Sequence, residues 1–313
     1  MKILCLLAAL LLSLYGAAAT AEVTKLIIPT APGGGTDGFF RVIAKDAEPF
    51  LGSILIVNAP GAGGTLGVAQ MVRANPDGYT LAGIWLSPVT VAPHTMKVTY
   101  TPDDYVAVMQ LTSAPYVMCV QPEFPASDGR SLIEAVRKSP GKYSYGTDGV
   151  GALAQLATER IFRAFKVSAV DIPYKGAGDT LLGFLGRQID IYVGSIPPIL
   201  EYAKNGRAKC VLLTSVEKNA SLPSASSLKE MGIPEEETLL WRGLLAPKGT
   251  PPERVAAIEA AFRKAAMAPG TRKFIDEVGE QIEIKGSADF QKKLRQEYEA
   301  MGKVVRSLNL TAK

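Results

Sequence analysis

Short β-branched apolar runs, each followed by a glycine-rich turn or a stretch of helical periodicity, restrict the folds open to this chain more than any other feature. The runs fall at residues 26–28, 54–57, 80–85, 116–120, 170–173, 189–193 and 210–214. They lack clean polar alternation, as strands covered on both faces do. Helical patterns lie between them. Ser131 with Glu134 reads as a capping box ahead of an apolar face of Leu132, Ile133 and Val136. Leu153, Leu156, Ile161 and Ala164 share a second helical face, and Thr250, Pro251, Pro252 and Glu253 give a start signal with Thr250 as cap. Val255, Ile258, Phe262 and Ala265 then mark one face, and Phe290, Leu294, Tyr298, Met301 and Val305 mark the last helix. Strands alternating with helices predict an α/β fold with helix-covered sheets.

The N-terminus predicts export. Lys2 gives a positive start, residues 3–15 are almost wholly apolar, and Ala19-Thr20-Ala21 fits a small-residue cleavage site. The run is too short to span a bilayer. A signal peptide over residues 1–21 is therefore expected, with cleavage after Ala19 as the variant. A chain of 313 residues, less about 20 for the leader, exceeds one ordinary core and predicts two domains. Residues 22–110 with 238–313 are assigned to one lobe and 111–237 to the other, because two lobes that close about a hinge usually pass the chain between them at least twice. A net charge of +4, with Lys and Arg spread along the chain, argues against a nucleic-acid partner.

The segment from Lys25 to Gly38 reads as strand, glycine-rich turn and helix start. Gly33, Gly34 and Gly35 let backbone approach a ligand, and Thr36 or Asp37 can cap a helix beginning at Phe39. Uncapped N–H groups at such an end favour an anion by roughly 0.3–2 kcal/mol. Gly33, Gly35 and Gly38 also satisfy G-x-G-x-x-G. A dinucleotide site would want an acid about 20 residues on, yet the next strand runs out through Val57, Asn58, Ala59 and Pro60. Similar turns follow at 61–64, 145–151 and 174–178, where ligands collect in open α/β sheets.

Catalytic signals are scarce. His94 is the single histidine, and neither G-x-S-x-G nor H-E-x-x-H occurs. No metal site or cofactor is expected. Cys119 and Cys210 sit in apolar runs; two buried thiols are the simpler reading, and an exported compartment also permits a bridge.

Residues 31–37 (APGGGTD), 58–64 (NAPGAGG), 76–80 (PDGYT), 173–177 (PYKGA) and 241–251 (WRGLLAPKGTP) occur in one order through nearly all of the chain after the leader. In these the sequence resembles the Bug, or tripartite tricarboxylate transporter, family of periplasmic receptors. The resemblance implies a two-lobe, type II Venus-flytrap fold, a small carboxylate ligand (a di- or tricarboxylate, an acidic amino acid or an aromatic acid) and a first glycine-rich loop that grips it through N–H groups and water. It also implies delivery to a membrane permease in some members. Two departures stand out: Gln155 occupies the usual histidine position with Ala152 in place of a hydroxyl, and Gly194-Ser195 stands where an acid is common.

The expected site draws Gly34, Gly35, Thr36, Asp37 and Ser87 from the first lobe. Thr147, Gly149, Gly151, Gln155, Tyr174, Lys175 and Ser195 face them from the second. Asp37 is read as a cap and water-holder whose replacement by alanine weakens binding and leaves the melting curve nearly intact. The expected protein is a monomeric receptor and not an enzyme. Its rivals are a receptor reporting to a sensor protein and an enzyme on the same scaffold.

Overall fold

The computed structural model describes residues 23–33, 35–149, 151–174 and 176–310. The expected leader, Gly34 and Lys175 lie outside them. Among the described residues the strands are β1 (Thr24–Ile28), β2 (Ile54–Asn58), β3 (Thr80–Trp85), β4 (Tyr105–Val120), β5 (Ser144–Thr147), β6 (Val170–Pro173), β7 (Ile191–Ser195), β8 (Lys209–Leu213), β9 (Leu239–Pro247) and β10 (Gln281–Lys285). The main helices are α1 (Gly35–Leu51), α2 (Thr65–Val72), α3 (Gly129–Lys138), α4 (Leu153–Ala164), α5 (Ala177–Leu185), α6 (Ile196–Lys204), α7 (Pro252–Ala266), α8 (Pro269–Glu277) and α9 (Ser287–Ser307).

Two sheets share one long strand. The order is β2-β1-β3-β9-β4-β7-β5-β6, with β10 and β8 also on β4. The first part of β4 pairs with β9 and β10, and its last five residues pair with β7 and β8. Parallel β2-β1-β3 and β6-β5-β7 put the C-terminal strand ends, and the turns after them, at one edge of each sheet.

Helices cover both faces of each sheet. Phe39, Phe40 and Ile43 of α1 pack with Ile258 and Phe262 of α7 on one face of the first sheet. Trp241, Phe290 and Leu294 fill the other. Leu132, Ile161 and Phe162 back one face of the second sheet, and Phe184, Ile196 and Ile199 the other. Helix α9 also joins the two halves: Met301, Val304 and Val305 pack on Leu156 of α4 and on Val91.

Several starts differ from expectation. Asp128, not Ser131, caps α3, because its carboxylate accepts from the Ser131 N–H at 2.8 Å while Ser131 Oγ accepts from the Asp128 N–H. Thr250 turns its hydroxyl to the Pro247 carbonyl, and α7 begins at Pro252 without a side-chain cap. Cys119 and Cys210 are bridged, not free: they are directly paired on antiparallel β4 and β8, which brings the two sulfurs together.

Candidate functional site

Beyond β1 the chain turns through Gly33, whose φ of +88° is a conformation glycine adopts without strain. Helix α1 then starts at Gly35, four residues earlier than Phe39, so Thr36 and Asp37 lie in its first turn. Asp37 is buried, with both oxygens used. Oδ2 accepts from the Gly33 N–H and from Arg41 Nε, each at 2.8 Å, and Oδ1 accepts from Asn58 Nδ2 at 2.7 Å. Asn58 also donates to the Thr30 carbonyl, tying the next turn to this loop. Burial works to push the Asp37 carboxyl up, but the bonds from Arg41, Asn58 and Gly33 outweigh it and hold it down to about 2. Asp37 is thus a strut of the loop. Its removal is expected to lower the melting temperature, contrary to the expectation from sequence, and the Gly33 N–H is not a bare donor.

A charged side chain stands beside this loop. Arg242 interrupts the otherwise apolar strand β9 and lies opposite Trp85 on β3 and Thr112 on β4. It is 6% exposed, and its guanidinium stacks over Phe39, 5.4 Å from the ring centre. Nη2 comes within 3.4 Å of the point a Cβ would occupy on Gly35. The group is ion-paired to buried Glu280, which accepts from Thr112 Oγ1 at 2.6 Å. Burial pulls Arg242 down to about 10, so it stays cationic at neutral pH. Its Nε is buried and, among the described residues, has no acceptor. A cation at the N-terminus of α1 adds to the anion preference of the helix end.

On the second sheet, the turn after β5 is closed by its own side chains. Thr147 Oγ1 donates to Asp171 at 2.8 Å, Gln155 Nε2 donates to the other Asp171 oxygen at 2.6 Å, and Gln155 Oε1 accepts from the Gly151 N–H at 2.6 Å. Gln155 and Thr147 therefore shape the turn, and the Gly151 N–H is taken. Gly151 faces the first sheet's side, with Thr95 Cγ2 3.9 Å from its Cβ position. Gly149 has φ +131° and an open surround. Ser195 ends β7 directly opposite Tyr116 and caps nothing with its hydroxyl. Ser87 opens a helical turn after β3 and is half-buried. Tyr174 does not join this group: its ring packs over Gly183 of α5, and its hydroxyl donates to Gln188 at 3.3 Å.

The chain as a whole has known counterparts. A sequence profile of the tripartite tricarboxylate transporter family receptors matches residues 39–310. The chain belongs to this family. A UPF0065 protein from the gbd 5' region of Cupriavidus necator is 34% identical over 250 residues, covering 79% of this chain and 76% of that one. Among solved structures, a TctC solute-binding protein from Polaromonas without ligand gives a TM-score of 0.85 at 24% identity, covering 93% of this chain and all of that one. MatC from Rhodopseudomonas palustris with bound malate gives 0.70 at 26% identity, covering 90% and 98%. The fold is that of two-lobe periplasmic binding proteins, and the Polaromonas structure is one of a solute-binding protein.

Sequence reasoning did not single out Arg242, the charged side chain that stands beside the first glycine-rich turn. Arg242 carried a visible signal, a lone charge inside the apolar run of β9.

Proposed function

We propose that this chain is exported to the periplasm by a leader over residues 1–21 and captures a small organic carboxylate between two lobes. The lobes are residues 22–110 with 238–313 and residues 111–237. The observation that carries the reading is the buried Arg242 guanidinium at the start of α1, beside Gly35, at the edge where the glycine-rich turns of the first sheet gather. Gly35, Thr36 and Arg242 hold the carboxylate on the first lobe; Ser87 adds a hydroxyl. Gly149, Gly151 and Ser195 come from the second. Gly34 and Lys175, outside the described residues, complete the two loops in this reading, while Asp37, Thr147 and Gln155 hold the loops in shape.

The chain crosses between lobes in β4 and again before β9. There Tyr116 and Thr214 exchange hydrogen bonds through the Tyr116 N–H and the Thr214 N–H, at 2.9 and 3.0 Å. Arg160 clasps the Glu235 and Glu237 carbonyls and Thr238. Such short pinned crossings suit hinge closure over a ligand. Malate in MatC supports the carboxylate class, and the family description supports delivery to a tripartite-type permease; in this reading the receptor is a monomer that performs no catalysis. A thermal-shift screen against a panel of organic acids tests this. A binding acid at a hundred times its Kd adds about 2.7 kcal/mol of stability. A panel of di-, tri- and amino-carboxylates that leaves the melting temperature unmoved contradicts the proposal.

A further inference from the structure

Asp148 follows β5 in the turn whose Gly151 lies against Thr95. One part of its carboxylate is satisfied by its own N–H and by the Ala154 N–H at the start of α4. Among the described residues its Oδ1 is buried with no hydrogen-bond partner, and no described cation pairs with it. A buried carboxylate oxygen without a donor is costly and needs an explanation. Burial raises the Asp148 carboxyl above the ordinary range.

Asp148 and Arg242 are linked through the hinge strand. Tyr116 of β4 lies opposite Ser195 at the end of β7, the strand beside β5 and Asp148, and four residues beyond Thr112, the partner of Arg242; its hydroxyl feels both charges. The Tyr192 hydroxyl, at the end of β7, also feels Asp148 and donates to the Ser195 carbonyl at 3.2 Å. Sheet order β9-β4-β7-β5 therefore sets two groups of opposite charge, each with an unused hydrogen-bonding atom, at one edge of the joined sheets. Arg242 has Glu280 as standing partner; Asp148 has none.

The geometry points to Asp148 as the residue that selects the ligand: its free Oδ1 receives the ammonium group of an amino acid whose carboxylate rests on Arg242 and the start of α1. The assignment rests on the carboxylate-receptor reading. A ligand with both charges fills both unused sites at once, whereas a plain carboxylate leaves Oδ1 bare and adds like charge beside it.

The test uses matched acids that differ only in the amino group: succinate and aspartate, glutarate and glutamate, 3-phenylpropionate and phenylalanine, butyrate and γ-aminobutyrate. Each is titrated by calorimetry into the leaderless protein and into Asp148→Asn. Asparagine keeps an oxygen for the Ala154 N–H, and the ligand-free melting curve confirms that the variant folds. The amino member of at least one pair binds at least about tenfold more tightly, and Asp148→Asn removes that preference, the loss of a charge-assisted bond being worth about ten- to a hundredfold. Deaminated acids binding as well as their amino partners overturn the assignment and leave the receptor reading standing, as does a preference unchanged in Asp148→Asn. No binding by any acid removes the receptor reading itself. A second variant, Arg242→Gln with Glu280→Gln so that no charge is stranded, loses both members of the binding pair; retained affinity overturns the role of Arg242.

Discussion

Replacing Asp37 by asparagine isolates what the buried carboxylate does for the first loop. Its folded value of about 2 lies below the ordinary 3.8, a difference worth roughly 2–2.5 kcal/mol. Arg41 is about half exposed, so solvent screens part of this, and about 1–2 kcal/mol is the expected loss. The amide also turns an N–H₂ toward donors at Gly33, Arg41 or Asn58, which cannot pair with it. The sign follows from the direction of the shift. A depressed carboxyl stabilises the fold above its unfolded value and loses that contribution as pH falls through the folded one. The gap between wild type and Asp37→Asn should be full at pH 7 and shrink between about pH 4 and pH 2. Urea unfolding followed by tryptophan fluorescence at pH 7, 4 and 2.5 measures it, and the melting temperature at pH 7 should drop by a few degrees. An equal gap at pH 7 and 2.5, or none at pH 7, refutes the reasoning.

Two further outcomes follow from packing and covalent structure. The Cys119–Cys210 bridge closes a separation of 91 residues, so reduction should cost about 2–4 kcal/mol in urea unfolding; alkylation of two thiols in the unreduced, denatured protein contradicts the bridge. Gly243→Ala should cost about 1–3 kcal/mol or more, because a Cβ there meets Phe290 at 2.6 Å and the Met109 carbonyl at 2.7 Å; an unchanged unfolding midpoint contradicts that packing.

The α/β character was legible because buried strands declare themselves in β-branched runs: β3 and β6 match the expected spans, and β1, β2 and β8 differ by a residue or two. Strand β4 was read only over its last five residues. Its first part carries Gln110, Thr112 and Ser113, whose burial depends on partners such as Lys293 and Glu280 far along the chain. The bridge was not legible because the neighbourhood of β4 and β8 is set by sheet order and not by spacing. At the site, the glycine-rich loops could be found from sequence, but side-chain direction could not. Tyr174 turns away because Gly183 leaves a place for its ring, and Gln155 turns inward because Asp171 and the Gly151 N–H receive it. Arg242 lay within a quoted motif, yet only the approach of its guanidinium to Gly35 makes it a candidate ligand group.

Small-angle X-ray scattering, with and without the acid that most raises the melting temperature, tests closure of the two lobes on a carboxylate most directly. The radius of gyration should fall when that acid saturates the wild-type protein and stay fixed for the Arg242→Gln, Glu280→Gln variant. Superimposable wild-type profiles at saturating ligand contradict capture between moving lobes.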